Sequence, residues 1–145
     1  MIKTKHGFTL LELMIIVAII GILAAIAIGK FSGMIAKSKE GHTKGALASM
    51  RSTLAIYYAE NAAYPTDDLT SLMTGEKYLK ILPTVKLPET GHPDVNTVAV
   101  GTSFTTFITD TGGWAYDNNS DDRDWGALKI NCSHTNLRSE VWSDI

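Results

Sequence analysis

The sequence contains one cysteine, Cys132, among 145 residues. A lone cysteine excludes an intramolecular disulfide. We interpret Cys132 as a small buried hydrophobic residue on a strand, in preference to a reactive thiol. His134 would share one face of that strand with Cys132, but two ligands do not make a zinc site.

The sequence also lacks the common patterns of catalytic residues. It has no Gly-x-Ser-x-Gly, His-Glu-x-x-His, P-loop or Cys-x-x-Cys motif, and its four histidines are scattered. We therefore predict that the chain is not an enzyme.

Positive charge is scarce in the second half of the chain. Residues 1–64 hold seven Lys or Arg and three Asp or Glu, whereas residues 65–145 hold six Lys or Arg and twelve Asp or Glu. Together these residues give the chain a net charge of −2. Phosphate binding requires clustered positive charge, so we do not expect this acidic half to bind nucleic acid.

A long apolar run extends from Phe8 to Gly29, and Glu12 is the one charged residue in it. As a helix this run would measure roughly 33 Å, against about 30 Å of bilayer hydrocarbon, so it can cross a membrane. Lys3 and Lys5 precede it and favour a cytoplasmic N-terminus. The C-terminal half would then lie on the opposite side of that membrane.

Glu12 is unfavourable within this run, because an acidic side chain at mid-bilayer costs about 2.5 to 3.5 kcal/mol on insertion. No Lys, Arg or His lies within one helical turn of it. We therefore expect its partner not to be a neighbouring side chain of the same helix. Cleavage after Gly7 would create a cation, the amine of Phe8.

The residues Lys5 to Glu12, KHGFTLLE, resemble the cleavage motif of type IV pilins and type II secretion pseudopilins. The resemblance implies that a prepilin peptidase cuts between Gly7 and Phe8, that Phe8 is N-methylated, and that Glu12 neutralises a Phe8 amine in an assembling filament. Two alternatives stay open. One is a secretory signal peptide cut after Ala27. The other is a plain single-pass membrane anchor, which would not explain why the apolar run contains Glu12.

The helical pattern continues beyond the apolar run. Apolar residues recur at three- and four-residue spacing as far as Tyr58, with charged residues between them. Pro65 disfavours an α conformation at Tyr64, so we predict that the helix ends near Ala63. The chain is thereby divided into a removed leader (1–7), a transmembrane or filament-core half of the helix (8–29), an amphipathic half (30–64) and a globular head (65–145).

Small residues recur every four positions along the apolar helix, at Gly21, Ala25, Gly29 and Gly33. This spacing lets helix backbones approach closely in a membrane. We interpret the four residues as a packing face, with a helical but softened segment from Gly29 to Gly33. Chance clustering is the alternative.

The head is predicted to carry a small antiparallel sheet. Strand-forming residues occur in four stretches, namely Thr97–Val100, Ser103–Thr109, Gly113–Tyr116 and Ala127–Cys132. The last two stretches are predicted to form a hairpin. The sheet should lie on the helix face Leu47–Tyr58, because about 80 residues form only a marginal core alone. The three tryptophans are expected to be packing anchors. The fold class is therefore α+β, and by the resemblance pilin-like.

Two further features are predicted in the loops of the head. Asp67 or Thr66 should cap a short helix through Met73. Three prolines, at 83, 88 and 93, should discourage regular pairing in the loop 78–93.

Four aspartates crowd the loop between the last two predicted strands, namely Asp117, Asp121, Asp122 and Asp124. An EF-hand is excluded, because its sixth position would be Asp122 where glycine is needed and its twelfth Leu128 where glutamate is needed. Major pseudopilins bind calcium in a head loop, and this similarity makes the four aspartates candidate Ca²⁺ ligands. A solvated acidic turn is the alternative.

The resemblance as a whole implies a subunit of a homo-oligomeric helical filament. The absent cysteine pair and the short head favour the pseudopilus of a type II secretion system. Its partners would be the prepilin peptidase, membrane lipid, an inner-membrane assembly platform and minor pseudopilins. The alternatives are a major type IV pilin of a surface pilus and a membrane-tethered calcium- or ligand-binding module.

Overall fold

The computed structural model describes residues 7–102 and 108–145. The chain forms two compact units, of which the first extends to Ile35 and the second is Ala36–Ile145. One α-helix of 52 residues, α1 (Leu10–Asn61), runs through both. Ala62 follows it with a left-handed φ of 55°, a conformation that commonly ends a helix. The helix thus ends two residues before the predicted Ala63.

In the first unit, α1 exposes apolar side chains along its whole length. Leu11, Val17, Ile20, Leu23 and Ile28 are among them. By length and composition, α1 is the one helix among the described residues that is able to cross a membrane. The backbone remains α-helical from Gly29 to Gly33.

The second unit contains a three-stranded sheet of strands β1 (Val98–Gly101), β2 (Trp114–Asp117) and β3 (Leu128–Ile130), in that spatial order. The pair β2 and β3 is antiparallel, which confirms the predicted hairpin. The pair β1 and β2 is parallel, with Val98 opposite Trp114, so the sheet is mixed and the prediction of an antiparallel sheet is wrong for β1. The predicted strand Ser103–Thr109 falls mostly outside the described residues.

The core of the second unit lies between α1 and this sheet. Leu47, Met50 and Leu54 project from the helix, and Trp114 and Tyr116 project from β2. The predicted role of the tryptophans as packing anchors is confirmed for Trp114 and Trp142, which are fully buried. Trp125 is half-buried and contacts the ring of Tyr64 edge-on at a centroid distance of 5.7 Å.

Polar side chains join α1, the sheet and the loops at three points, of which the bond from Tyr116 is fully buried. The guanidinium of Arg51 on α1 donates two hydrogen bonds to the carbonyl oxygen of Leu128 on β3. The hydroxyl of Tyr116 donates to the carbonyl oxygen of Pro65 at 2.7 Å. The indole N–H of Trp114 donates to the carbonyl oxygen of Pro83 at 2.9 Å.

Among the described residues, the loops contain three short 3₁₀ turns, at Thr70–Leu72, Thr74–Glu76 and Trp142–Asp144. The predicted short helix through Met73 is reduced to the first of these turns, and the second lies beyond Met73. Asp67 does bind its start, because its carboxylate accepts the N–H of Ser71 at 3.0 Å. Between Tyr78 and Pro93 there is no regular strand, as the prolines predicted.

Candidate functional site

Glu12 is bound by the residue that precedes α1. Its Oε2 accepts hydrogen bonds from both the backbone N–H and the hydroxyl of Thr9, each at 2.9 Å. In return, the N–H of Glu12 donates to the hydroxyl of Thr9 at 3.2 Å. This reciprocal pair is a capping box, which satisfies free backbone N–H groups at a helix start.

The capping box gives Glu12 a hydrogen-bond partner that we did not predict. Thr9 lies just before α1, so the expectation that no side chain of the same helix neutralises Glu12 stays a prediction. The pattern Thr-x-x-Glu before an apolar run is a known signal for this arrangement, and it was readable in the sequence. Thr9 is uncharged, however, so it satisfies hydrogen bonds without neutralising the charge. Both bonds use Oε2, which leaves Oε1 without a partner among the described residues.

The predicted cleavage point lies just before α1. Gly7, Phe8 and Thr9 have no regular secondary structure, and Phe8 is 82% exposed. A Cβ atom at Gly7 would meet nothing within 4 Å. Residues 1–6 of the predicted leader lie outside the described residues.

The acidic loop joins β2 to β3. Asp117 closes β2 with a fully buried side chain, and its Oδ1 accepts the N–H of Asn119 at 3.0 Å. Its Oδ2 is buried without a hydrogen-bond partner among the described residues. Burial raises the pKa of Asp117, and the negative charges of Asp122 and Asp124 raise it further. A buried unpaired carboxylate oxygen is costly, so a cation at this point would be stabilising.

The other three aspartates of the loop are less buried. Asp121 and Asp124 are exposed, and Asp122 is half-buried, with its Oδ1 accepting the N–H of Asp124 at 3.1 Å. Within residues 7–102 and 108–145, the donor atoms of three or more His, Cys, Asp or Glu side chains converge at one place, and it is around Cys132 rather than in this loop.

Cys132 is fully buried, as predicted for a small hydrophobic residue, but it lies two residues after β3 rather than on a strand. Burial raises the pKa of its thiol to about 11. Because the thiolate is the nucleophile, a thiol with so high a pKa is a poor nucleophile at neutral pH unless a bound cation stabilises the thiolate.

Comparison with known proteins bears on the N-terminal segment first. A family model described as the prokaryotic N-terminal methylation motif matches residues 2–28, which contain Gly7, Phe8 and Glu12. The chain is 48% identical over 60 residues to the type IV major pilin protein PilA of Myxococcus xanthus. It is 30% identical over 89 residues to the type II secretion system core protein G of Pectobacterium carotovorum. Over these segments the chain is similar to type IV pilins and type II secretion pseudopilins.

These pilin and pseudopilin matches are partial. The match to PilA covers 41% of this chain and 27% of PilA, and the match to core protein G covers 61% and 54%. The fimbrial protein EcpC of Eikenella corrodens, 36% identical over 66 residues, is covered to 43%. The chain thus spans about half or less of the length of these relatives. No solved structure matches it.

Proposed function

We propose that the chain is the structural subunit of a pilus-like filament, most directly the pseudopilus of a type II secretion system. The observation that carries this proposal is Glu12, an exposed acid in the first turn of a helix that is otherwise apolar around it. A carboxylate stabilises no lone helix in lipid. It stabilises a filament if the amine that cleavage creates at Phe8 of one subunit pairs with Glu12 of another.

The small residues of α1 support close packing of such subunits. A Cβ atom at Gly21, Gly29 or Gly33 would meet nothing within 4 Å, so packing within the chain does not require glycine at these positions. Together with Ala25 they would let the helix of a second subunit approach closely.

The partners and location follow from the same proposal. The chain is inserted in the bacterial inner membrane with a cytoplasmic N-terminus and a periplasmic head, and a prepilin peptidase removes the leader. An inner-membrane assembly platform and minor pseudopilins then take part in filament growth. The chain has no catalytic role in this scheme, since it acts by assembly.

A surface pilus is the second candidate, favoured by the higher identity to PilA. The longer match to core protein G and the absence of a cysteine pair favour the pseudopilus. Deletion of the gene in its host separates them. Loss of secreted enzymes with unchanged surface fibres supports the pseudopilus, and loss of surface fibres supports the pilus. A purified processed chain that stays monomeric at all concentrations would instead support a membrane-tethered binding module.

The mature N-terminus is expected to be methylated Phe8. Intact-mass analysis of the chain isolated from its host should show the loss of Met1 to Gly7 and the addition of one methyl group. A host strain without prepilin peptidase is the control, and it should yield the uncut chain. A mature chain that starts at Ile28 would contradict the proposal, because it would indicate an ordinary signal peptide.

We also propose that the loop between β2 and β3 binds Ca²⁺ through Asp117, Asp121, Asp122 and Asp124. The unpaired, buried Oδ2 of Asp117 supports this proposal. Calcium at about a hundred times its dissociation constant should then raise the free energy of unfolding by about 2.7 kcal/mol.

A thermal melt of the full chain in detergent, with calcium and then with chelator, measures this effect. The double variant Asp117→Ala with Asp124→Ala should lose the calcium shift. The control Asp68→Asn changes an exposed acid outside the loop and should keep it. Overlapping curves for the unmodified chain, or a shift that survives the double variant, would leave the loop as a solvated acidic turn.

A further inference from the structure

Four side chains of the types that bind transition metals meet beside β3. They are His92 from the proline-containing loop, Asp110 from the turn before β2, and Cys132 and His134 from the segment after β3. One donor atom from each lies within 4.8 Å of the donor atoms of the others. The filament proposed above makes no use of this cluster.

Four of the six distances between the donor atoms match the edges of a tetrahedral zinc site, and the other two, from Cys132 Sγ to the donor atoms of His92 and Asp110, are at most 4.8 Å. His92 Nε2 and His134 Nδ1 are 3.2 Å apart, and His134 Nδ1 and Cys132 Sγ are 3.6 Å apart. Oδ1 of Asp110 lies 3.4 Å from His92 Nε2 and 3.3 Å from His134 Nδ1. Bond lengths of about 2.0 to 2.2 Å to N or O and about 2.3 Å to S give tetrahedral edges of roughly 3.3 Å between N or O atoms and roughly 3.6 Å between N and S.

The segments that carry the ligands are held in place by other contacts. Asn131 is buried beside them, and its Oδ1 accepts the backbone N–H groups of Thr109 and Asp110 at 2.8 and 3.2 Å. The backbone N–H of Ser133 donates to Oδ1 of Asp110 at 2.7 Å, which orients the carboxylate. Second-shell hydrogen bonds of this kind are typical of metal sites.

Glycine brings the loop of His92 against the turn of Asp110. Gly112 has a φ of 80°, and a Cβ atom there would lie 3.4 Å from Cβ of His92. Contacts of the folded chain therefore help to bring the ligands together.

The cluster is closed on one side and open on the other. Cys132 is fully buried, and the side chain of His92 is 13% exposed, whereas that of His134 is 48% exposed. An ion from solvent can therefore enter past His134. Thiolate and imidazole ligands favour zinc and its neighbours in the first transition series over calcium or magnesium.

We propose that His92, Asp110, Cys132 and His134 form a four-coordinate site for Zn²⁺ or a similar divalent transition metal. The bound ion joins the proline-containing loop to the turn before β2 and the segment after β3. In a head with a single cysteine, it serves the purpose that a disulfide serves in other small domains. Binding releases the thiol proton of Cys132, since the thiolate is the ligand.

The test uses the full chain in detergent, with its thiol reduced and its metals removed. Titration with Co²⁺ should yield one ion per chain, with a thiolate-to-cobalt charge-transfer band and the intense visible bands of tetrahedral Co²⁺. Zn²⁺ should displace it and raise the melting temperature. His134→Ala should weaken Zn²⁺ binding at least about 100-fold, since changes to second-shell partners alone cost about 10- to 100-fold.

Matched controls use the remaining histidines. The double variant His6→Ala with His42→Ala should bind both metals like the unmodified chain. Cys132→Ser should remove the charge-transfer band. If Cys132→Ser prevents folding, the cobalt spectrum of the unmodified chain and the Zn²⁺ affinity of the exposed variant His134→Ala still test the site. A cobalt spectrum without the thiolate band, or Zn²⁺ binding of equal strength in His134→Ala, would overturn the site.

Discussion

Glu12→Ala is expected to leave cleavage and membrane insertion intact and to abolish filament assembly. In a lone helix in lipid, the substitution removes an unfavourable carboxylate. In the proposed filament, it removes one member of the buried ion pair between Glu12 and the amine of Phe8. Removal of one partner from a buried pair costs about 3 to 5 kcal/mol, because the other charge is left uncompensated. Mass analysis of the processed chain and electron microscopy of the filament measure the two halves of this result.

The capping box requires a control, because Glu12 also binds Thr9 at the start of α1. Glu12→Gln keeps an oxygen acceptor for these bonds and removes the charge, so it should fail to assemble, as the alanine variant does. Thr9→Val removes the hydroxyl and keeps the charge, so filaments should form. Normal filaments from Glu12→Gln alone would show that Glu12 acts by capping rather than by charge pairing.

Gly113→Ala is expected to destabilise the head by about 3 kcal/mol or more. Gly113 has a φ of 78°, and a Cβ atom there would lie 2.5 Å from the carbonyl oxygen of Thr97. That oxygen accepts the N–H of Trp114 at 2.8 Å where β1 meets β2. The substitution therefore adds a collision and the loss of a buried hydrogen bond to the cost of a left-handed alanine, which is about 1 to 2 kcal/mol.

Gly75→Ala is the matched control for this prediction. Gly75 has a similar φ of 67°, but a Cβ atom there would meet nothing within 4 Å. Gly75→Ala should therefore lower the free energy of unfolding only by the cost of a left-handed alanine. Urea unfolding of the full chain in detergent, followed by tryptophan fluorescence, compares the two variants. Equal midpoints would mean that the contact at Thr97 relaxes without cost.

The sequence predicted the elements that depend on local patterns. The long helix follows from the spacing of its apolar residues, and Pro65 predicts its end within two residues of Asn61. The hairpin of β2 and β3 follows from strand-forming residues on both sides of a polar loop. The direction of β1 was missed, because the residues of a short strand carry little information about whether its neighbour is parallel or antiparallel.

The same distinction separates the start of α1 from the metal cluster. The residues at the start of α1 could be selected because they are adjacent in the sequence, although the capping box with Thr9 was overlooked. In the metal cluster, only Cys132 and His134 are close in sequence. His92 and Asp110 join them through a turn fixed by Asn131, and no local pattern indicates such a contact.

The hydrogen bonds from Arg51 to Leu128 and from Tyr116 to Pro65 have a consequence for folding cooperativity. The first joins the second half of α1 to β3, and the second joins β2 to the chain just beyond the helix. Separation of the second half of α1 from β3 breaks the bonds of Arg51, and separation of β2 from the segment after the helix breaks the buried bond of Tyr116. We therefore expect amide hydrogens at the centres of both elements to exchange with solvent at similarly slow rates, as members of one cooperative folding unit.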